Sequence, residues 1–528
     1  MAPRVFLSGP MGSGKSTVAR LLAESLGVPS IDLDLRIEAR VGADVASIFA
    51  ERGEAAFRAL EAETLAELLA KTSGGGAVVA LGGGTVVSRE LRRALLADGV
   101  LVTLDAPDSV LAERIGDGAT RPLLAGRAPV EALRALRAAR REAYAECDAC
   151  IDTAGRTPAA VAESVLAVLG GTRVVVPLGT RTYRVEIGDG LRTGLGARVQ
   201  EHARGARVLV TDSTVDALWG AETKLNLVRP GAAPFGVVIG AGEGAKTLES
   251  VVRVWDAALD ANIDREAIVV ALGGGVVGDV AGFAASTLLR GIALAQVPTT
   301  LLAMVDSSVG GKTGFDRADG KNVVGTVHQP RFVLCDVAFL GTLPLAERRA
   351  GFGEVVKSAM LAGEAELAAL ERDALALAGG DAAATVRAIR MAVALKARIV
   401  AEDEDETRGL RLLLNLGHTL GHALEVQSGY TLRHGEAVAL GTLAALRVAE
   451  GLTLGHAGLR ERVERLFAAL GLPTDVDARL DVATVARVAR DKKRAGGKVR
   501  FVVPVAPGDV RVVSLTPDEI ARLCRKSA

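Results

Sequence analysis

Val5-Phe6-Leu7-Ser8-Gly9-Pro10-Met11-Gly12-Ser13-Gly14-Lys15-Ser16-Thr17 decides the fold of the amino-terminal part of this chain. A short apolar run ends in a glycine-rich turn of the form G-x-x-x-x-G-K-[ST], and a segment of helical period follows. Strand, loop and helix in that order is the setting in which this motif binds a nucleotide. Glycines let successive backbone N–H groups curl around phosphate oxygens, and the helix N-terminus adds partial positive charge. Lys15 is placed to bridge the β- and γ-phosphates of ATP and Ser16 to offer its hydroxyl to Mg2+, with Gly12, Ser13, Gly14 and Thr17 completing the cradle.

Outward from this motif the same alternation repeats. Apolar runs at Ile31–Asp34, Ala77–Leu81, Val100–Asp105 and Ala149–Asp152 alternate with Ala/Leu/Arg-rich helical segments. That is the pattern of a parallel sheet with helices on both faces. A helix at Pro158–Leu169 runs into Gly170-Gly171, the clearest domain boundary, and the alternation restarts with strands at Val208–Asp212, Gly236–Ile239 and Ala267–Leu272. From about Pro344 onward Ala-rich helices dominate. The expectation is α/β: a P-loop kinase domain over 1–170, a Rossmann-like α/β domain over 172–330 and an α-helical metal-binding domain over 331–528.

Composition narrows the function classes. Lys plus Arg and Asp plus Glu each number 63, so no basic excess points to nucleic acid or a membrane surface. Four cysteines in 528 residues imply no disulfide framework, and Cys147-x-x-Cys150 stands without a second pair. No signal peptide and no apolar run of ~20 residues is read from the sequence, so the expected location is cytoplasmic. The acidic run Glu402–Glu406 reads as a solvated helix end.

Further motifs narrow the acceptor of the P-loop unit. Asp32 and Asp34 end a strand with both carboxylates on one side, at the carboxyl edge where open α/β sheets bind ligands. Gly53-Glu54-Ala55-Ala56-Phe57-Arg58 with Glu61 follows, then Leu81-Gly82-Gly83-Gly84-Thr85, and later Arg121-Pro122-Leu123-Leu124. Over roughly residues 1–170 this combination closely resembles shikimate kinase. The resemblance implies that Asp34 accepts hydrogen bonds from the shikimate hydroxyls and acts at the attacking oxygen, with Asp32 near Mg2+. It implies that Arg58 and Arg140 clamp the carboxylate, with Arg141 the competitor of Arg140, and that Gly82, Gly83 and Gly84 line the pocket. It further implies that Arg121 reaches the phosphates of ATP and that Arg156 borders the adenine. Guanidinium partners suit a carboxylate-bearing polyol, and a hydroxyl nucleophile needs a carboxylate neighbour.

In the second part, Gly273-Gly274-Gly275-Val276-Val277-Gly278-Asp279 follows a strand, and Thr211-Asp212 ends an earlier one. Both are dinucleotide-type signals, because glycines admit a pyrophosphate and a strand-end acid holds a ribose. Three of the six histidines fall together: His418 and His422 share a helix face, and His434 follows. Read from spacing alone, all three are zinc ligands.

Here the chain resembles 3-dehydroquinate synthase over roughly 172–528. The matching stretches are the glycine motif with Arg290-Gly291, Pro298 to Asp306, Gly310-Gly311-Lys312-Thr313, Lys321-Asn322, Gly353-Glu354-Val355-Val356-Lys357 and Leu414-Asn415-Leu416-Gly417-His418. The resemblance implies a different metal set: Glu354, His418 and His434 hold Zn2+ (or Co2+), and His422 faces the substrate, 3-deoxy-arabino-heptulosonate 7-phosphate. It implies that Lys312, Asn322, Arg290 and His422 hold the phosphate, with Arg290 from a neighbouring subunit of a homodimer. It also implies that Arg411, Lys396 and Asn415 take the carboxylate and hydroxyls, that Lys357 and one of Lys492 or Lys493 complete the pocket, and that Asp306 touches sugar and cofactor. For NAD+ it points to Asp212, Glu243, Lys246, Gly274, Gly275, Val276, Asp279, Thr299, Thr300, Lys321, Phe339, Thr342 and Leu343. Two departures stand out. The family often has Asn where Thr214 stands, and the stretch from Asp403 to Arg411 is one residue longer than usual. The whole then reads as a bifunctional enzyme of chorismate and aromatic amino acid biosynthesis. The alternatives are a cyclase of neutral sugar phosphates, a kinase for another small acceptor, and a silent ATP-binding module.

Overall fold

The computed structural model describes residues 4–71, 76–116, 128–229, 233–317, 320–480, 484 and 497–524. They form two compact units, Met1–Thr182 and Tyr183–Ala528.

In the first unit a five-stranded sheet has the order β2-β3-β1-β4-β5, with β1 at Arg4–Ser8, β2 at Ser30–Asp32, β3 at Ala77–Ala80, β4 at Val100–Asp105 and β5 at Ala149–Asp152. Every pairing is parallel. Side chains alternate between faces along a strand. Phe6, Val79 and Leu101 therefore pack with Leu33, Ile37 and Phe57 on one side, while Val5, Leu7, Val78 and Val102 pack with Val18 and Leu22 on the other. Full burial of such side chains is worth ~1.5–3 kcal/mol each, and both faces are covered by helices, as a parallel sheet requires. The strand expected at Ile31–Asp34 stops at Asp32. Asp32 is the N-cap of the helix Leu33–Val41, accepting from the Asp34 and Leu35 amides, so Asp34 stands in a first helical turn and not on the strand. The Arg/Ala-rich helix before β5 is likewise two helices, Pro129–Ala139 and Arg141–Ala145, broken at Arg140. A strand β6 at Thr172–Val176 follows helix Pro158–Leu169.

In the second unit, parallel strands run in the order β7-β14-β11-β10-β8-β9. They lie at Tyr183–Gly188 (β7), Arg207–Asp212 (β8), Phe235–Ile239 (β9), Ile268–Gly273 (β10), Ala293–Pro298 (β11) and Phe332–Asp336 (β14), with a hairpin of β12 (Lys312–Arg317) and β13 (Gly320–Val327) between the last two. From β8 the chain moves out to β9 and then returns to β10 on the opposite side of β8. The strand order thus reverses between β8 and β10, and such a switch point opens a crevice at the carboxyl ends. The sheet takes in β14, so the helical part begins at Leu345–Ala362. It continues through Glu364–Gly379, Ala382–Glu402, His418–Gln427 and His434–Gly451. It is not purely helical: an antiparallel hairpin, β15 (Val499–Ala506) and β16 (Asp509–Leu515), follows.

Candidate active sites

In the first unit the phosphate loop spans the end of β1 and the start of helix Lys15–Leu26. Gly9, Gly12 and Gly14 take φ of 136°, 78° and 91°, a region that suits glycine. A Cβ on Gly9 would lie 2.0 Å from the Leu104 carbonyl oxygen. The helix has no side-chain cap, so its leading N–H groups point into the loop. Ser13 Oγ is buried without a hydrogen-bond partner, an orphan a phosphate oxygen would satisfy. Lys15 Nζ donates to the Gly9 and Pro10 carbonyls at 3.0 Å each. Ser16 Oγ donates to Asp32 Oδ2 at 2.6 Å, so one carboxylate both caps the next helix and meets the hydroxyl predicted at Mg2+. Thr17 is exposed at the first turn.

The residues expected to take the acceptor come from three segments beside the carboxyl edge of the sheet. Gly53, at φ 78°, breaks the helix Val45–Lys71 and starts the turns carrying Arg58 and Glu61. Arg58 Nη1 donates to the buried Glu61 at 2.8 Å and Nη2 to Glu54 at 3.1 Å. Burial opposes the Arg58 charge, but Glu61 and Glu54 more than offset it. A Cβ on Gly84 would lie 2.2 Å from the Arg58 guanidinium, and one on Gly82 would lie 2.9 Å from Asp34 Oδ1. The glycines thus make room for Arg58 and Asp34. Arg140 Nη1 and the Tyr144 hydroxyl donate to the Gly83 carbonyl at 2.8 and 2.6 Å. Arg141 is exposed, so the helix break turns Arg140, and not its neighbour, toward this edge. Arg156 donates to Ala160 O at 2.8 Å and Ser164 Oγ at 2.6 Å. Arg121 lies outside the described residues. Arg114 was not anticipated: its guanidinium bridges the Gly12 carbonyl and Thr153.

In the second unit the switch point carries the dinucleotide signals. Asp212 ends β8 and caps the next turn, accepting from the Thr214 and Val215 amides. Thr214 thus contributes its backbone amide where the family often has Asn. Gly274 precedes helix Gly275–Thr287, which has no side-chain cap. A Cβ on Gly275 would lie 3.1 Å from Ser307 Oγ, and one on Gly274 3.3 Å from Thr300 Cγ2, so the turn is tight enough to admit only backbone beside a ligand. Lys246 pairs with Asp279 at 2.5 Å and Lys321 with Glu243 at 3.2 Å. Burial raises the Asp279 carboxyl, and Lys246 opposes that shift. Thr299 N donates to Gly273 O at 2.9 Å. Val276 packs beside the sheet core, and Phe339 is buried. Thr342, next to Leu343, accepts from the Trp219 indole at 3.0 Å. Trp219 had no signal in the motifs.

Glu354, His418 and His434 come together from three helices. Close helix approach makes this possible. A Cβ on Gly353 would lie 2.1 Å from the Gly435 carbonyl oxygen, and one on Gly435 1.7 Å from that of Ala350. The buried Glu354 Oε1 makes no hydrogen bond, yet His418 Nε2 and His434 Nε2 each lie 3.3 Å from it. Ligands ~2.0–2.1 Å from a tetrahedral ion are roughly 3.3–3.4 Å apart, so these atoms fit a metal ion. The outer nitrogens are also held. His418 Nδ1 faces the Leu416 carbonyl at 3.1 Å, and His434 Nδ1 faces Glu425 at 3.3 Å, the second-shell arrangement that leaves Nε2 for a metal. Without the ion, desolvation opposes a charged His434, but Glu354 and Glu425 outweigh it and raise its pKa to about 10. The His422 ring centre lies 5.3 Å from that of His418. His422 falls into a second set with Glu425 and His434. Among the described residues no such set brings all three histidines together, so the grouping read from spacing alone is replaced by two candidate sets that share His434.

Beside this cage is a cavity of about 420 Å3, lined among others by Asp306, Lys312, Lys357, Lys396, Arg411, Asn415 and His418. Lys396 Nζ meets Asp306 Oδ1 at 2.6 Å. Burial pushes the lysine down despite Asp306, and Lys396 overcomes burial to hold Asp306 low. Lys357 pairs with Glu354 and donates to Leu414 O at 2.9 Å. The acidic run is a solvated helix end only in part, with Glu402 closing the helix Ala382–Glu402 and Asp405 and Glu406 exposed. Asp403 is buried and accepts from the Arg408 and Arg411 amides, and Glu406 pairs with Lys312 and Arg411. In this stretch Glu406 takes φ 57° and Gly409 φ 76°, and Lys396 and Arg411 line one cavity. Asn322 lies on the exposed β12–β13 hairpin with Lys321, its amide donating to Asp316 at 2.8 Å. Arg290 is exposed at φ 67° after helix Gly275–Thr287. Lys492 and Lys493 lie outside the described residues.

Together these features define a two-site enzyme of small molecules, a P-loop phosphotransferase unit followed by a dinucleotide-type unit with a carboxylate–imidazole cage. Residues 11–170 match the family profile of shikimate kinase, 236–350 that of the 3-dehydroquinate synthase N-terminal region and 351–494 that of its C-terminal region. The chain is 43% identical over 348 residues to a 3-dehydroquinate synthase of Symbiobacterium thermophilum, spanning 65% of this chain and 97% of that one. It is 46% identical over 340 residues to one of Rhodospirillum rubrum, spanning 62% and 88%. A solved 2-epi-5-epi-valiolone synthase from Streptomyces hygroscopicus, with NAD+ and Zn2+ bound, superposes with a TM-score of 0.58 at 31% identity, covering 65% of this chain and 95% of that chain. The chain belongs to the 3-dehydroquinate synthase family and carries a shikimate kinase domain ahead of it, which makes it a bifunctional enzyme of the shikimate pathway.

Proposed function

We propose that the first unit transfers the γ-phosphoryl group of ATP to the 3-hydroxyl of shikimate, and that the second converts 3-deoxy-arabino-heptulosonate 7-phosphate to 3-dehydroquinate and phosphate. In the first site Arg58 and Arg140 hold the acceptor carboxylate beside Gly82–Gly84. Asp34 orients the attacking hydroxyl and takes its proton. Ser16 and Asp32 hold Mg2+, and Lys15 with Arg121 neutralises charge on the transferring phosphoryl group.

In the second site NAD+ supplies a hydride acceptor that is restored each turn, and a divalent ion, zinc or cobalt, at Glu354, His418 and His434 supplies Lewis acidity. Asp212, Glu243, Lys246, Asp279 and the Gly274–Gly275 turn bind the dinucleotide. Arg411, Lys396 and Asn415 orient the substrate carboxylate and hydroxyls, while Lys312, Asn322 and His422 hold the departing phosphate. Arg290 makes no hydrogen bond or ion pair among the described residues, and we assign it to the neighbouring pocket of a homodimer. The net reaction loses phosphate and closes a carbocycle without net oxidation. A cytoplasmic location suits such chemistry; no helix among the described residues is long and apolar enough to cross a membrane.

The observation that carries this reading is Arg411 beside Lys396 on the cavity that reaches His418. Two cations there suit a substrate carboxylate, which a neutral sugar phosphate lacks. The test is an assay of the purified chain with shikimate plus ATP, with the heptulosonate phosphate and with a neutral heptulose phosphate, before and after chelation. Both acids should turn over. Chelation should stop the cyclisation until zinc or cobalt returns, whereas Mg2+ alone should restore the kinase. Turnover of the neutral sugar phosphate in place of the acid would contradict the assignment.

A further inference from the structure

The cations on the second unit's cavity are not equivalent. Lys312 and Arg411 meet Glu406, Lys396 meets Asp306, and Lys357 meets Glu354. Arg500 lines the same cavity but comes from β15, an element that none of the sequence motifs reached. At the start of β15 Val499 and Phe501 are buried, and Arg500 between them is exposed. Its guanidinium stands over Gly409, where a Cβ would lie 3.5 Å from Nη2, and it makes no hydrogen bond or ion pair among the described residues. Arg511 on the same hairpin is instead paired with Asp509 at 2.8 Å.

We propose that Arg500 is a substrate-binding residue, gripping one of the two anionic groups of the cyclase substrate at the cavity mouth. This rests on the acidic sugar phosphate proposed above. A planar guanidinium matches a carboxylate or a phosphate bidentately, and one whose charge no neighbouring described carboxylate answers is available to an incoming anion. Gly409, lacking a side chain, keeps the approach to that guanidinium clear. The two sources of the anion, carboxylate and phosphate, are separated by the products, since 3-dehydroquinate keeps the first and inorganic phosphate is the second.

The experiment is steady-state kinetics of the full chain with Arg500→Gln, Arg500→Lys and Arg511→Gln, with inorganic phosphate and 3-dehydroquinate as competitive inhibitors. In Arg500→Gln the KM for the heptulosonate phosphate should rise about tenfold, equivalent to ~1.4 kcal/mol, with kcat held within about threefold. Arg500→Lys should recover part of the loss, and Arg511→Gln should match the wild type. A weaker inhibition constant for phosphate alone assigns Arg500 to the phosphate, and one for 3-dehydroquinate alone to the carboxylate. Unchanged KM and inhibition constants in Arg500→Gln would overturn the proposal and make Arg500 a surface charge. A wild type inactive on the acid would instead defeat the parent reading.

Discussion

The phosphate loop and the cation-lined cavity solve one electrostatic problem with different parts of the polypeptide. The loop grips with backbone: three glycines at positive φ, an uncapped helix start and a single lysine, all within eight consecutive residues from Gly9 to Ser16. The cavity grips with side chains brought from the turn at Asp306, strand β12, helices Leu345–Ala362 and Ala382–Glu402, and the segment Asp403–Asn415. Backbone dipoles carry no net charge to neutralise before the ligand arrives. Buried lysines do, and each cavity lysine that is buried, Lys357 and Lys396, already has its carboxylate. The loop is therefore limited by backbone space at its glycines, whereas the cavity is a network in which removing one charge strands another.

Glu354→Ala breaks that network hardest. Metal per chain should fall to zero and cyclase activity by more than about 1000-fold, exceeding the ~10–100-fold typical of second-shell loss. Lys357 left without its carboxylate should cost ~3–5 kcal/mol. The checks are metal analysis and thermal unfolding, with kinase turnover unchanged. Lys15→Met is the reciprocal break: kinase kcat should drop ~100–1000-fold while cyclase kinetics stay at wild-type values. Glu425→Ala, which frees the outer nitrogen of His434, should weaken metal affinity ~10–100-fold in a competition titration with a chromogenic chelator.

Smaller effects sharpen the contrast. His434 holds a proton up to about pH 10 without the ion, and coordination needs a neutral nitrogen. Metal affinity should therefore rise about tenfold per pH unit between pH 7 and 9, with about one proton released per ion in calorimetry across buffers. A flat profile would show His434 already neutral. Arg140→Gln should raise the KM for shikimate about tenfold and Arg141→Gln should leave it unchanged.

How far the sequence could be read follows the same divide. The phosphate loop and Gly82–Gly84 were legible because their function lies in contiguous glycines at strand ends. The helix Pro158–Leu169 begins and ends where its Thr157-Pro158 start and following glycine place it. The strand expected at Asp34 failed because Asp32 is a strong N-cap and turned the chain into a helix two residues early. Spacing alone chose three histidines and could not see Glu354, because the glycine-to-glycine helix approach that delivers it is a tertiary contact. Glu425 had a usable signal, three residues beyond His422 on the same helix. Asp403 had none, since only packing distinguishes a buried acid from a solvated one, and the exposed Glu406 had none because its partners Lys312 and Arg411 meet it only through the fold. Arg500 was hidden for a similar reason. Valine-rich runs stood at β15 and β16, with Gly508 at the turn between them, but they sit in a helix-rich surrounding.

The most direct measurement is an anomalous difference map at the zinc edge on crystals of the intact chain. One peak within bonding distance of Glu354 Oε1, His418 Nε2 and His434 Nε2, with His422 outside it, is the result this structure requires. A peak shared by His418, His422 and His434, with Glu354 turned to Lys357 alone, would contradict it.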